Sequence, residues 1–248
     1  MFFKESLFVE STVSTNELLK NGDFTDRTLL YTFNQENGRG RSGKQWFTGA
    51  GKGVALSVLL KENAGNIAPL WFIACFSLAL LDLLSEFRVG DCWIKWPNDI
   101  YSGSEKIAGI LTESSWIGDK HDKTVIGIGF NVNETYEELS GYNKHATSIL
   151  VKTGVNTDLT YIVEEYIDIL SEWLSLLVNK NDIEKIKKRW LIESRIVGKK
   201  VVWNNTDAIY ECVVKDIGND GSLIVKLTSG ETAVVVSGEI ILKENFDD

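Results

Sequence analysis

The sequence predicts an α/β (α+β) fold in two parts: residues 1–194, mixing helices with strands, and a small all-β region, residues 195–248. Three observations carry this. The apolar stretch LWFIACFSLALLDLL at 70–84 is too long for a strand and reads as a helix buried on most sides. Short β-type runs flank it on both sides. After Arg195 the texture changes to brief β-type runs broken by Gly, Asn and Asp, the spacing of a small barrel or sandwich of about fifty residues. A length of 248 residues suits one large domain with a small one attached.

In chain order, a first helix begins at Asn16 and reaches Lys20, with Ser14 or Thr15 available to cap it. TLLYTFN at 28–34 is a strand entering a glycine-rich loop, and VALSVLL at 54–60 a strand leaving it. The buried helix covers 68–87 and a strand, CWIKW, follows at 92–96. Two further apolar stretches, KIAGILTES at 106–114 and TVIGIGFNV at 124–132, read as strands. A helix over 157–178 places Ile162, Tyr166, Ile169, Leu170 and Trp173 on one face, with Glu164, Glu165, Asp168 and Glu172 opposite. A shorter helix at 182–193 closes the first region. VGKKVVWNN, YECVVKDIG, SLIVKLTSG, TAVVVSG and EIILK make up the second.

The net charge of −9 argues against nucleic acid as the main partner, because phosphate contacts need a basic surface. A locally basic loop on such a body suits a small anionic ligand. Cys75, Cys92 and Cys212 are odd in number and widely spaced, which fits neither a zinc site nor a disulfide framework. The N-terminal MFFKESLFVESTVS lacks the basic start and long apolar stretch of a secretion signal. The uncharged part of the apolar segment, between Pro69 and Asp82, is shorter than the roughly 20 residues that span a bilayer. No membrane association is expected, and a cytoplasmic location is.

GRGRSGKQW at 38–46 concentrates three glycines and three cations. Gly38, Gly40 and Gly43 match the dinucleotide fingerprint, but that motif needs a helix after its last glycine. Here KQWFTGAGKGV follows, with Gly49, Gly51 and Gly53 close together, and each glycine inside a helix costs about 1 kcal/mol relative to alanine. A P-loop fails for the same reason, and Gln45 stands where a magnesium-binding hydroxyl is required. Neither H-R-D nor D-F-G occurs, which removes a protein kinase. The loop is thus a flexible strand-to-strand connection offering backbone N–H groups, Arg39, Arg41 and Lys44. Trp46 and Phe47 can fold with it over a bound molecule.

A second cluster is KWPND at 95–99 with IYSGSEKIAGILTE after it. Pro97-Asn98-Asp99 and Ser102-Gly103-Ser104 read as turns, and Lys106 starts the next strand. Gly109, Gly127 and Gly129 lie inside strands, where glycine marks close approach of a ligand or another backbone.

With STN at 14–16, Gln35, GRGRSGKQW, KWPND, KIAGIL at 106–111 and GIGFNVN at 127–133, the chain resembles the biotin–protein ligases in order and spacing over nearly its whole length. The resemblance implies a class II aminoacyl-tRNA synthetase-like catalytic domain with a mixed sheet over 1–194 and an SH3-like barrel over 195–248. It also implies the reaction: biotin and ATP, with Mg²⁺, give biotinyl-5′-AMP, and biotin then passes to a lysine of a biotin carboxyl carrier protein or domain. A homodimer is compatible with it. Relatives that also repress transcription carry an N-terminal winged helix. STN beginning at residue 14 leaves no room for one, so the short ligase without a DNA-binding domain is expected.

By the same resemblance, Arg39, Gly40 and Arg41 close over biotin and the adenylate, with Arg41 holding the phosphate. Lys106 offsets charge where carboxylate and α-phosphate meet. Ser14, Thr15, Asn16 and Gln35 hydrogen-bond the ureido head or line its pocket. Trp46 covers the adenine or the apolar tail, and Gly109 and Asn131 take pocket or nucleotide-side positions. Asp99 has a turn role or assists magnesium or the incoming lysine, and Lys243 stands near the place of a basic residue that approaches the nucleotide. No carboxylate cluster names a magnesium ligand. A lipoate–protein ligase and a non-catalytic biotin-binding regulator are the alternatives. The second is expected to lack Arg39, Arg41 or Lys106, and all three are present.

Overall fold

The computed structural model describes residues 2–61, 64–178, 182–204, 208–236 and 238–242. Its larger part is a seven-stranded mixed sheet, with helices on its faces. The strands are β1 (Glu5–Phe8), β2 (Thr28–Thr32), β5 (Gly53–Leu60), β6 (Cys92–Lys95), β7 (Asp99–Ser102), β8 (Glu105–Ile117) and β9 (Lys120–Asn131), in the order β1-β2-β5-β9-β8-β7-β6. Only β1 and β2 run parallel; the remaining neighbours are antiparallel. Between β2 and β5 the chain leaves the sheet to form a small hairpin, β3 (Gly38–Arg39) with β4 (Gln45–Trp46).

Six helices are described: α1 (Thr15–Asn21), α2 (Pro69–Glu86), α3 (Tyr136–Ser140), α4 (Ile149–Thr153), α5 (Leu159–Val178) and α6 (Ile183–Ser194). Ser14 caps α1: its hydroxyl accepts the Glu17 N–H, and Gly22 ends the helix. α2 is the apolar helix, and residues from Leu70 to Leu84 are buried with the exception of Asp82. It packs against α5, α6 and the strands β6 to β9, which explains an apolar surface on nearly all sides. α5 buries the predicted Ile162, Tyr166, Leu170 and Trp173, with Ile169 partly covered. Asp82 Oδ2 accepts from the Trp173 indole at 2.9 Å and Asp82 Oδ1 from Arg189 at 3.0 Å, tying α2 to α5 and α6.

The five β-type runs after Arg195 become β10 (Lys200–Asn204), β11 (Ile209–Ile217), β12 (Leu223–Leu227), β13 (Thr232–Val235) and β14 (Glu239–Leu242), an antiparallel sheet in the order β13-β12-β11-β10-β14. Its inner residues join the same apolar core as α2. The turn at Asn219–Gly221 docks on the larger part, with Asn219 O accepting from the Trp71 indole (2.9 Å) and Gly221 O from the Trp96 indole (3.2 Å).

Several elements depart from expectation. The strands at 106–114 and 124–132 extend into one long hairpin reaching Ile117 and Lys120, because backbone pairing continues where the apolar alternation has stopped. A four-residue strand, β7, fits between the two turns read around Pro97 and Gly103. The sequence reading also lacked β1, α3 and α4, all short. Lys243 lies outside the described residues.

Candidate active site

Strand geometry builds the floor. On β9 the even residues Ile126, Ile128 and Phe130 enter the core, so Gly127, Gly129 and Asn131 face the opposite way, into a cleft. β8 contributes Gly109, which pairs with Gly129. Lys106 and Gly109 are three apart and in a regular strand would point to opposite faces. A register shift opposite Ile100/Tyr101 sends both Ile107 and Ala108 into the core and turns Lys106 onto the cleft side. The Lys106 backbone is fixed there: its N–H donates to His145 O (2.7 Å), and its carbonyl accepts from Thr147 N (2.9 Å).

The Lys106 ammonium lies 2.7 Å from Asp99 Oδ1 and 5.5 Å from the Trp46 ring centre. Asp99 is therefore a side-chain partner of Lys106 within β7 rather than part of the turn. Tyr101, beside them, has its phenol pushed up to about 12, first by burial and second by the Asp99 charge. It stays protonated at neutral pH and forms a neutral wall.

The glycine-rich segment, the β3–β4 hairpin, packs over this floor through Trp46. Gly43 and Ser42 adopt left-handed backbone at its tip, with φ of 74° and 54°. Gly40 N–H donates to Lys44 O (2.7 Å) and Lys44 N–H to Arg41 O (3.1 Å). These two backbone donors are engaged within the hairpin and do not face a ligand. Arg41 Nη1 donates to Asn98 Oδ1 at 2.9 Å, and Asn98 in turn clamps the Ile110 backbone through its amide (2.9 Å). Arg39 is ion-paired with Glu17 of α1. The Trp46 indole lies flat on the floor, where a Cβ at residue 129 would collide with it. Phe47 stacks on Tyr142 with ring centres 3.6 Å apart.

Behind the lid, the buried Glu134 carboxylate accepts from Val132 N (2.8 Å) and Gly49 N (3.3 Å). Burial, partly opposed by these bonds, raises its pKa. Gly49 and Gly53 pack against this side chain and Gly51 takes left-handed backbone (φ 68°), which accounts for the second glycine cluster.

Thr15, Asn16 and Gln35 give the far end of the cleft its uncharged polar side chains. Thr15 N–H donates to Gln35 Oε1 (2.9 Å), and the Ser57 hydroxyl reaches both Thr15 Oγ1 (2.7 Å) and Asn16 Oδ1 (2.6 Å). Asn16 fits because residue 127 is glycine. The Asn131 amide nitrogen is held by Thr147 O (2.8 Å), which makes this side chain a fixed wall.

Ser14, Thr15, Asn16, Gln35, Arg39, Gly40, Arg41, Trp46, Lys106, Gly109 and Asn131 all line this one cleft, of about 1420 Å³. That exceeds the ~300–1,000 Å³ typical for one small molecule and leaves room for two joined ones. A smaller hollow of about 350 Å³ continues past Arg41 towards Leu70 and Asp220. Ser57, Asn98, Gly127, Glu134 and Tyr142 were not foreseen in these roles. Of these only Gly127 and Asn98 carried a local sequence signal. Among the described residues no group of three or more His, Cys, Asp or Glu side chains comes together, and no cysteine or histidine lines the cleft.

The sequence profile of the biotin/lipoate A/B protein ligase family matches residues 8–131. The bifunctional ligase/repressor BirA of Bacillus subtilis is 30% identical over 157 residues, covering 63% of this chain and 48% of that protein. The chain thus spans about half the length of the first curated relatives it matches. The biotin–[acetyl-CoA-carboxylase] ligase of Paracoccus denitrificans is 28% identical over 206 residues, 79% of this chain and 83% of that one. The biotin protein ligase of Aquifex aeolicus in complex with biotin and ATP superposes with a TM-score of 0.80 at 26% identity, covering 98% of this chain and 100% of that one. With half of its residues under that profile, the chain belongs to the biotin/lipoate A/B protein ligase family.

Proposed function

We propose that this protein is a biotin–protein ligase, which activates biotin with ATP and transfers it to a lysine of a biotin carboxyl carrier protein or domain. One observation carries the reading: a single cleft joins an uncharged polar end to a reaction centre built from Lys106 under a cationic lid. Thr15, Asn16 and Gln35 offer donors and acceptors to a neutral ureido head, with Ser14 holding the helix that presents two of them. The Trp46 indole, seated on the glycine floor, offers an apolar wall to the ring and the tail. The carboxylate then reaches Lys106.

In the first step a carboxylate oxygen attacks the α-phosphorus, the bond to pyrophosphate breaks, and biotinyl-5′-AMP forms. Two anions must meet, so fixed positive groups in a water-poor site are what lowers the barrier. Lys106 has three N–H donors, enough to keep Asp99 and still bridge carboxylate and phosphate. Arg41 moves from Asn98 onto the phosphate, and Arg39 from Glu17 onto the ligand. In the second step the carrier lysine's amine attacks the acyl carbon, AMP leaves with the bonding pair, and the amine's proton passes to solvent. The hollow past Arg41 suits that approach.

Magnesium enters with the ATP phosphates as part of the substrate. Asp99 is engaged by Lys106 and Glu36 accepts from Ser11, so the described cleft carboxylates do not fit a resident ion. The reading further includes the synthetase-like catalytic domain over 1–194, an SH3-like barrel over 195–248 and a cytoplasmic location, and is compatible with a homodimer.

Incubating the protein with MgATP and either biotin or lipoate, with mass detection of the acyl-AMP, tests the activity. Biotinyl-AMP alone is expected, with transfer to a carrier domain in a second incubation. Lipoyl-AMP instead, or no adenylate, would overturn the assignment. The lid makes a further prediction. A hairpin held by so few pairs opens at little cost, so amide exchange at residues 36–48 is fast in the free protein. Saturating biotinyl-AMP should slow it about tenfold or more; unchanged exchange removes the lid role.

A further inference from the structure

Glu113 does not line the cleft, yet it holds the residue that does. Its carboxylate accepts from Asn16 Nδ2 at 3.0 Å and from Lys20 Nζ at 3.0 Å. Leu111 O also faces Asn16 Nδ2, at 3.5 Å. Two acceptor-only groups on one side of an amide fix which way it faces. Asn16 must turn its NH₂ to Glu113 and its Oδ1 to Ser57.

The consequence travels to the cleft. Ser57 has one proton and two acceptors in reach, Asn16 Oδ1 at 2.6 Å and Thr15 Oγ1 at 2.7 Å. With Asn16 Oδ1 aimed at it, Ser57 commits its proton there. Thr15 then gives its own proton to Ser57 Oγ, 2.7 Å away, in preference to Gln35 Oε1 at 3.3 Å. Thr15 Oγ1 is then left with an open lone pair in the cleft, where a ligand N–H can bind.

We propose that Glu113 is a positioning residue that sets the hydrogen-bond polarity of the head-group end, so that Thr15 Oγ1 acts as an acceptor for a ring N–H. This rests on the ligase reading, in which that ring is a cyclic urea with two N–H groups. Lys20 supports it, since hydrogen bonds and charge from Asn16, Lys20 and Arg39 outweigh burial and keep the Glu113 carboxyl below its ordinary range.

The test is Glu113→Gln, whose side chain can turn either O or NH₂ to Asn16. Asn16 is then free to flip and Ser57 donates to Thr15, which takes one of the two Thr15 lone pairs and frees the Thr15 proton to compete with a ligand N–H, so Thr15 becomes the poorer acceptor. The loss of one such bond predicts a biotin KM raised about tenfold, with kcat for adenylation changed less than about threefold. Methylating the ureido nitrogen nearest Thr15 should weaken biotin about tenfold in the wild type and less than about threefold in the variant. Glu113→Asp, which keeps an acceptor-only group, should restore most of the difference. Calorimetric biotin binding separates the two readings. If the wild type binds biotin and Glu113→Gln binds it equally, with the same methylation penalty, the polarity role is wrong while the ligase reading stands. If the variant loses kcat alone, the role is also wrong. If the wild type binds no biotin, both fall.

Discussion

Lys106→Ala abolishes most adenylate formation, by about 10²–10³-fold, while the protein stays folded. That range is what removing a single preorganised charge donor from a developing oxyanion costs, about 2.7–4 kcal/mol. One feature pushes towards its upper end. Asp99 Oδ1 is 2.7 Å from the ammonium, so the alanine variant leaves a bare carboxylate facing the incoming biotin carboxylate and triphosphate. At an effective dielectric of about 20, unit charges about 4 Å apart repel by about 4 kcal/mol. The double variant Lys106→Ala/Asp99→Asn should accordingly be faster than Lys106→Ala alone. Asp99→Asn by itself should slow adenylation by less than about tenfold, because the Lys106 backbone keeps its bonds to His145 and Thr147 and the ammonium its charge. Pyrophosphate exchange measures all three. Near-normal exchange in Lys106→Ala would show that the reaction centre is elsewhere, and a double variant slower than the single would remove Asp99 from the electrostatic account.

How much of this was legible follows from which interactions are local. The glycine-rich segment, the long helices and the five C-terminal strands each leave a periodic or compositional trace within one segment; the structure bears out the helices and strands and folds the glycine-rich segment into a short hairpin. Lys106 was visible as a candidate, but not its geometry. A lysine and a glycine three apart read as opposite faces until the bulge at Ile107 brings them together, and nothing in KIAG signals a bulge. In the same way, Gly127 looked like a place for a ligand. Its missing side chain is first of all room for Asn16, more than a hundred residues away in sequence. Glu113 and Ser57 carry no signal at all, because a polar residue in a strand acquires its role only from the register that sets its neighbours. The Asn98 amide was read as part of a turn, which it is, and its grip on Arg41 depends on where the lid lands.

The floor of the cleft yields the second large effect. Gly129→Ala should lower the rate of single-turnover adenylation by about 10²-fold and leave the melting temperature within a few degrees. A Cβ at 129 would overlap Nε1, Cε2 and Cδ1 of the Trp46 indole, an overlap too deep for the ring to absorb by a small tilt. Trp46 sits on a hairpin of two residue pairs, so the indole and lid can lift away without opening the core. Stability is therefore spared. Catalysis is not, because a lifted lid leaves Arg39 and Arg41 too far from the phosphate, and displacements of about 1 Å already cost about 10²-fold. Gly109 is the internal control. It pairs directly with Gly129, but a Cβ there meets Trp46 Cζ3 at 3.3 Å and Lys106 Nζ at 3.2 Å, distances a flexible lysine relieves by a few tenths of an ångström. Gly109→Ala should thus lose less than about tenfold. Combining Gly129→Ala with Trp46→Ala removes the overlap, so the double variant should be no worse than Trp46→Ala alone. Equal penalties for the two glycine substitutions, or a strictly additive double variant, would mean that the indole does not rest on residue 129 when the reaction occurs.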